Sequence, residues 1–208
     1  MALVSGLDLR SALREVVDRG AAFVPRSLDE SFRRRLRREL EAGPFEHFAE
    51  EFGQVRQQID GFDIREPFDG FPAVAVLHNE LTALVRAHGR AIRGLVTWMP
   101  NEAGVARYRP GSIGITPHLD GKWYRRLVAI VTVYGNARFA VCRDRAGAVI
   151  VAWEAGPGSL TLMRGPGLGA LRDGRPFHTV GAPRRGERCS IALRMSTRLS
   201  GAGGQARR

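Results

Sequence analysis

Residues 116–123 read TPHLDGKW and place a histidine and an aspartate two positions apart. In an extended segment, successive side chains alternate, so His118 and Asp120 would point to the same side and could bind one ion. A metal needs further ligands, and His178 follows Asp120 by 58 residues in another strand-like stretch, FHTV. Two imidazoles and one carboxylate on one face match the facial triad that binds Fe(II). The alternative is that the HxD spacing is accidental and that His178 belongs to the core or to a turn.

The segment RCSIALR, residues 188–194, carries the positive charges that an anionic co-substrate would need. As a strand it places Arg188, Ser190, Ala192 and Arg194 on one side and its apolar residues on the other. Arginine offers a rigid fork for a carboxylate, which suits the distal end of a dicarboxylate whose keto acid chelates iron. The alternatives are a surface strand whose polar side faces water, and a helix.

The second half of the chain reads as short strands separated by glycine, proline and charged turns. We predict strands over residues 105–109, 113–117, 127–134, 138–143, 149–153, 159–163, 177–180 and 188–194. Such a succession is typical of a β-sandwich or barrel. In an antiparallel barrel, strands that are distant in sequence can be neighbours in space, which would bring His178 to the HxD segment.

The first half of the chain reads as mostly helical. Apolar spacing predicts helices over residues 7–17, 28–42 and 75–95, and a short strand over residues 21–24. Ser27 and Glu30 have the spacing of a capping box at the start of the second helix. Residues 44–72 are rich in phenylalanine, glycine and charge without clean periodicity, so they are a candidate substrate lid or an ordinary packed connection.

The order of these residues resembles the Fe(II)/2-oxoglutarate-dependent dioxygenases, and within them the AlkB-like family most closely. The resemblance covers residues 104–196. The stretch ARYRPGSIGITPHLD is similar to the family segment in which a tyrosine and a glycine, here Tyr108 and Gly111, lead into HxD. GSLTLMRG is similar to the strand before the distal histidine, and RCSIALR to the closing pair of arginines.

The resemblance implies an iron site at His118, Asp120 and His178. Iron would couple the decarboxylation of 2-oxoglutarate by O2, which yields succinate, to the oxidation of a nearby C–H bond. Related halogenases lack the carboxylate ligand, so Asp120 favours hydroxylation, demethylation or desaturation.

The resemblance also implies a 2-oxoglutarate site. Arg188 would pair with the distal carboxylate, while Arg194 and Tyr108 would lie around the co-substrate, with Ser190 on the same strand face. The family usually has an asparagine two residues before the tyrosine. Here that residue is Ala106, so the contacts to the co-substrate must differ.

The fold implied by the resemblance is α+β: a double-stranded β-helix, the cupin-like jelly roll, flanked by N-terminal helices. We expect one oxygenase domain over residues 1–208. Within it, residues 1–103 would be mainly helical support with the candidate lid, residues 104–198 the jelly-roll core and residues 199–208 a flexible tail.

The residues after the HxD motif bear on the substrate. Family members that repair nucleobases have an acidic residue where this chain has Lys122, which has donors and no acceptor. Lys122 would be solvated or pair with an anionic group of the substrate.

We therefore favour as substrate a small molecule such as an amino acid, a nucleoside or a specialised metabolite. The first alternative is oxidative demethylation of DNA or RNA bases, with Trp123 and Tyr124 as stacking residues. The second is a jelly-roll binding module without enzymatic activity.

Composition sets wider bounds. The formal charge of +11 would attract nucleic acid, but 31 of the 32 basic residues are arginine, a skew that codon usage in a GC-rich genome explains. The arginine cluster at residues 33–38 is therefore expected to be a solvated helix face.

We predict a cytoplasmic protein. The chain has only two cysteines, Cys142 and Cys189, and it lacks an export signal and an apolar run long enough to span a membrane. The sequence leaves the oligomeric state open.

Overall fold

Two large antiparallel β-sheets, a separate two-stranded hairpin and three helices make up the part of the chain that the computed structural model describes, residues 1–198. The tail predicted at residues 199–208 lies outside this range. In chain order the elements are α1 (Arg10–Arg19), β1 (Ala21–Val24), α2 (Glu30–Glu41), β2 (Glu46–His47), β3 (Glu51–Phe52), β4 (Val55–Arg56), β5 (Asp60–Arg65), α3 (Pro72–His88), β6 (Glu102–Tyr108), β7 (Ile115–His118), β8 (Tyr124–Tyr134), β9 (Ala137–Cys142), β10 (Val149–Ala155), β11 (Leu160–Arg164), β12 (Phe177–Val180) and β13 (Arg188–Ser196).

The strands are divided between a major and a minor sheet. The major sheet has the order β1-β11-β8-β13-β6-β5-β2, and the minor sheet has the order β10-β9-β12-β7. Every strand predicted in the second half of the chain is present, with ends shifted by a few residues. Neighbours such as β13 and β6 are far apart in sequence, as expected for a jelly roll and not for a simple meander.

Strand β8 lies in the middle of the major sheet and is apolar on both faces. Leu127, Ala129 and Val131 pack in the large core that includes the helices, whereas Val128 and Ile130 pack in a smaller core between the two sheets. This explains why the strand reads as a continuous apolar run, since both of its faces are covered. The helices therefore lie on the outer face of the major sheet, and the space between the sheets is left for the site.

The helices have the predicted order but different ends. The capping-box prediction is wrong: Asp29 caps α2 by accepting a hydrogen bond from the Phe32 amide at 2.9 Å, while the Ser27 hydroxyl donates to the carbonyl of Val24. Helix α3 starts at Pro72, where proline is favoured, and ends at His88, earlier than the apolar spacing predicted. None of the helices in residues 1–198 is long and apolar enough to cross a membrane.

The segment between α2 and α3 contributes strands to the sheets. Strands β2 and β5 extend the edge of the major sheet, and β3 and β4 form a separate hairpin. This hairpin lies beside β7, because the Arg56 amide donates to the Thr116 hydroxyl at 2.9 Å and Gln57 forms a β-bridge with Ile115. The region predicted as a lid or a packed connection is thus anchored next to the strand that carries His118.

Candidate metal centre

Three predicted ligands meet between the two sheets. His118 at the end of β7 and His178 on β12 are direct partners in the strand pairing, and their ring centroids are 4.2 Å apart. The Asp120 Oδ1 atom lies 3.9 Å from the His118 Nε2 atom and 3.8 Å from the His178 Nε2 atom. All three donor atoms lie within 4.8 Å of one another, and no other group of His, Cys, Asp and Glu in residues 1–198 is so arranged.

The backbone fixes which nitrogen of each imidazole faces Asp120. The Nδ1 atom of His118 is 2.9 Å from the carbonyl oxygen of Thr116, and that of His178 is 3.2 Å from the carbonyl oxygen of Pro176. A carbonyl only accepts, so each Nδ1 carries the proton and each Nε2 keeps a lone pair. Burial, reinforced by the neighbouring His178, lowers the pKa of His118 to about 4. Both observations fit neutral imidazole ligands.

The donor set fits Fe(II). Two imidazole nitrogens and one carboxylate leave coordination positions open, which is the facial triad of non-heme iron oxygenases. The triad lines one side of a cavity of about 320 Å³, whose other walls include Ile130, Phe139 and Val180. The Phe139 ring also stacks on His178, with centroids 5.4 Å apart and planes inclined by 8°. This stacking restricts the orientation of the His178 ring.

Arg188 is a buried cation that lines the same cavity without a protein counter-ion. Its residue is 1% exposed, and its two terminal nitrogens donate to the hydroxyls of Ser190 and Thr132, both at 3.2 Å. The ring of Tyr108 lies 5.1 Å from its Cζ atom. Within residues 1–198 it forms no ion pair, and its Nε atom lacks a hydrogen-bond partner. Burial lowers the pKa of Arg188. A buried charge without compensation is costly, so the geometry favours an anionic ligand here.

Arg194 lies further along the same face of β13 and is neutralised by the protein. Its Nη2 atom is 2.6 Å from the Asp63 carboxylate and 3.1 Å from that of Glu102, and its guanidinium covers the Tyr124 ring at 4.5 Å. Gly104 permits this arrangement, because a Cβ atom there would overlap the Arg194 Nη2 atom. Arg194 thus lines the cavity as part of an ion-pair cluster, and its contact with a co-substrate stays a prediction.

Some of the remaining predicted site residues line the cavity, and the others lie outside it. Tyr108, Ser190 and Tyr124 line the cavity, and so does Ala106 in the position of the usual asparagine. Trp123 packs against Tyr124 with ring centroids 5.6 Å apart and lies beneath Arg198. Lys122 is exposed on the loop after β7. The geometry therefore brings Tyr124 to the cavity and leaves Lys122 in solvent.

Sequence reasoning missed several residues that hold these groups. Thr132 follows Val128 and Ile130 at alternating positions of β8, on the face that packs between the sheets, so strand periodicity could have found it. Asp63 lies on a strand that was not predicted, and no local pattern links it to Arg194, which is 131 residues away.

Comparison with known proteins gives structural but no sequence relatives. No protein-family model and no curated protein matches the sequence. A prolyl-4-hydroxylase from Pseudomonas putida superposes with a TM-score of 0.63 and 18% identity over 92% of this chain and 100% of its own. A prolyl hydroxylase from Trichoplax adhaerens, in complex with a peptide fragment of the hypoxia inducible factor oxygen degradation domain, gives a TM-score of 0.63 and 13% identity over 90% of this chain and 89% of its own.

A third solved structure is an oxidoreductase of the 2OG-Fe(II) oxygenase family from Burkholderia pseudomallei, with a TM-score of 0.63 and 12% identity over 93% of this chain and 92% of its own. At such identities the likeness establishes the fold. The jelly-roll fold that the family resemblance implied is therefore confirmed, and the structural match covers at least 90% of this chain.

Proposed function

We propose that the protein is an Fe(II)- and 2-oxoglutarate-dependent dioxygenase that oxidises a C–H bond of a small molecule. The observation that carries this proposal is one cavity with two complementary sites: a His-Asp-His triad, and a buried arginine without a counter-ion. A facial triad binds Fe(II), and a dicarboxylate co-substrate supplies the missing negative charge.

The residues of the triad and of β13 would divide the binding tasks. His118 and His178 would offer their Nε2 atoms and Asp120 a carboxylate oxygen to the metal. Arg188 would bind the distal carboxylate of 2-oxoglutarate, with its fork held by Ser190 and Thr132. When bound, the iron supplies the oxidising chemistry, in which O2 decarboxylates 2-oxoglutarate to succinate and carbon dioxide while a C–H bond is oxidised.

The apolar walls would protect this chemistry from water. Ile130, Phe139 and Val180 line the same cavity as the triad and Arg188. Apolar walls lower the local dielectric constant, which would strengthen the ion pair between Arg188 and the co-substrate. Asp120 would occupy a coordination position of the metal, which favours hydroxylation, with demethylation and desaturation as alternatives.

A small substrate is supported by the size of the cavity. Its volume of about 320 Å³ lies near the lower end of the range for ligand pockets, and 2-oxoglutarate must share it. The AlkB-like assignment rests on the tyrosine before HxD and on the arginine pair, while Ala106 and Lys122 depart from that family. The free and buried thiols of Cys142 and Cys189 are compatible with the proposed cytoplasmic location.

A succinate assay tests the proposal. The protein is loaded anaerobically with Fe(II) and 2-oxoglutarate, then exposed to O2 with amino acids, nucleosides, prolyl peptides or methylated oligonucleotides. We expect an amino acid, nucleoside or other small molecule to raise succinate formation above the uncoupled rate. Stimulation by methylated oligonucleotides alone would contradict the small-molecule proposal and favour base demethylation. The matched control is the His178→Ala variant, which loses one imidazole ligand and should form no succinate with any substrate.

A further inference from the structure

The three ligands of the triad are not held in the same way. His118 and His178 face each other in the hydrogen-bonded ladder between β7 and β12. Asp120 lies two residues beyond the end of β7, in the loop that leads to β8, so no ladder fixes its backbone. A ligand on a loop needs another support, because its carboxylate must stay within about 0.5 Å of the position that coordination requires.

Arg175 provides a direct contact to this loop. Its Nη1 atom donates to the backbone carbonyl of Asp120 at 2.5 Å, although the two residues are 55 positions apart. The Arg175 side chain is only 16% exposed. The contact is made three residues before His178, so the segment that supplies one histidine ligand also holds the backbone of the carboxylate ligand.

Arg175 is itself fixed by Asp173. The Nε atom donates to Asp173 Oδ1 at 2.9 Å and the Nη2 atom to Asp173 Oδ2 at 2.7 Å, which is a two-pronged arginine-carboxylate pair. The loop is tied in turn to the major sheet, since the Arg164 Nε atom on β11 donates to the carbonyl of Gly174 at 2.6 Å. These contacts orient the guanidinium and leave its remaining prong for Asp120.

We propose that Arg175 is a positioning residue for the metal ligand Asp120, and that the Asp173–Arg175 pair sets the affinity and geometry of the metal site. This inference rests on the proposed iron site. The clamp, defined as Asp173, Arg175 and the carbonyl of Asp120, replaces the ladder that β7 no longer supplies at that point.

Metal binding tests the clamp without measuring turnover. Dissociation constants for Co(II), a spectroscopic substitute for Fe(II), are determined by calorimetry for the wild type and for Arg175→Gln, Arg175→Lys and Asp173→Asn. The matched control is Arg172→Gln, which removes an exposed arginine from the same loop. The visible absorption of bound Co(II) reports the ligand geometry, which a general loss of stability does not alter.

We expect Arg175→Gln to weaken Co(II) binding about 10- to 100-fold, as for other residues that orient metal ligands, and to change the Co(II) absorption. Arg175→Lys keeps the charge without the fork and should be intermediate. Asp173→Asn should weaken binding in the same direction, and the double variant Asp173→Asn/Arg175→Gln should be no weaker than Arg175→Gln alone. Arg172→Gln should bind Co(II) as the wild type does.

Wild-type affinity and an unchanged Co(II) spectrum in Arg175→Gln would overturn the clamp. If Arg175→Gln does not fold, the same outcome in Arg175→Lys and Asp173→Asn would overturn it. A wild-type protein that binds neither Co(II) nor Fe(II) would remove the proposed function together with the clamp, whereas wild-type binding that is insensitive to residue 175 would remove the clamp alone.

Discussion

At the scale of single residues, Arg188 lowers the stability of the ligand-free protein but would strengthen the binding of a carboxylate ligand. A buried guanidinium without a counter-ion destabilises the protein that lacks a ligand, and the same guanidinium stabilises a bound carboxylate. Folding and function therefore place conflicting demands on this position. Such a conflict is the expected mark of a binding site and not of a structural ion pair.

The Arg188→Met variant separates these two effects. Methionine fills a similar volume without a charge, so the free energy of unfolding of the ligand-free protein should be unchanged or higher by up to about 4 kcal/mol. Binding of 2-oxoglutarate should weaken by about 3–5 kcal/mol. Urea denaturation and calorimetry measure the two quantities.

Arg143→Met is the control for Arg188→Met, because Arg143 is an exposed arginine at the end of the minor-sheet strand β9. It should change neither the free energy of unfolding nor the affinity for 2-oxoglutarate appreciably. An Arg188→Met variant that binds 2-oxoglutarate normally would mean that the co-substrate anchor is elsewhere.

Replacing one histidine of the triad should abolish metal binding, whereas replacing a partly buried histidine outside the triad should not. His178→Ala removes one of three ligands, and we expect Fe(II) binding to fall below detection by calorimetry. His88→Ala removes a side chain whose Nδ1 accepts the Leu9 amide at 3.1 Å in the helical layer. That variant should lose some thermal stability and keep its affinity for Fe(II). Equal losses of metal binding in both variants would contradict the ligand assignment.

At the scale of elements, the start of α2 shows how a local pattern can select the wrong residue. Ser27 and Glu30 have capping-box spacing, but the Ser27 hydroxyl donates to the carbonyl of Val24 at the end of β1. Asp29 takes over the cap because its extended backbone and its carboxylate reach the Phe32 amide. Two capping residues so close together cannot be distinguished by spacing alone.

The cap can be tested by hydrogen exchange. Asp29→Ala should lower the free energy of unfolding by about 1 kcal/mol and expose the Phe32 amide to faster exchange, because that amide loses its acceptor. Ser27→Ala should leave exchange at the Phe32 amide unchanged, whatever its effect on the loop. Faster exchange of the Phe32 amide in Ser27→Ala alone would restore the capping box.

The register between β7 and β12 could not be predicted from the sequence and is known only from the structure. The pattern predicted β7 and β12 and the same-side orientation of His118 and Asp120, since both depend on residues close in sequence. It left open the register that places His178 opposite His118. Register depends on the packing of whole strands, and a slip of one residue would turn His178 away from the cavity.

At the scale of the whole molecule, the position of the basic helix α2 bears on the choice of substrate. Its apolar residues Phe32, Leu36 and Leu40 pack in the core on the outer face of the major sheet, whereas the triad lies between the sheets. Several of its arginines have local partners, such as Arg34 with Glu30 and Arg37 with Glu41. The other arginines of the cluster thus form a solvated face away from the cavity, whereas the Arg33 side chain is only 15% exposed and donates to the carbonyl of Val133.

Removing this charge should leave activity intact. The triple variant Arg34→Gln, Arg35→Gln and Arg38→Gln should form succinate with the preferred small molecule at the wild-type rate, because these side chains do not line the cavity. A parallel assay measures binding of a methylated oligonucleotide at low salt, where phosphate contacts are strongest. A loss of oligonucleotide-stimulated succinate formation in the triple variant would instead support the demethylase alternative.

The sequence by itself determined the strands of the second half, the three helices and the common orientation of His118 and Asp120. These features follow from the periodicity of apolar and polar side chains, which a short window of sequence contains. The tertiary structure alone decided the register that places His178 opposite His118, that Arg188 lacks a counter-ion while Asp63 neutralises Arg194, and that Arg175 holds the Asp120 backbone. Each of these depends on which distant strands and loops pack together, and that choice minimises the free energy of the whole chain rather than of any one segment.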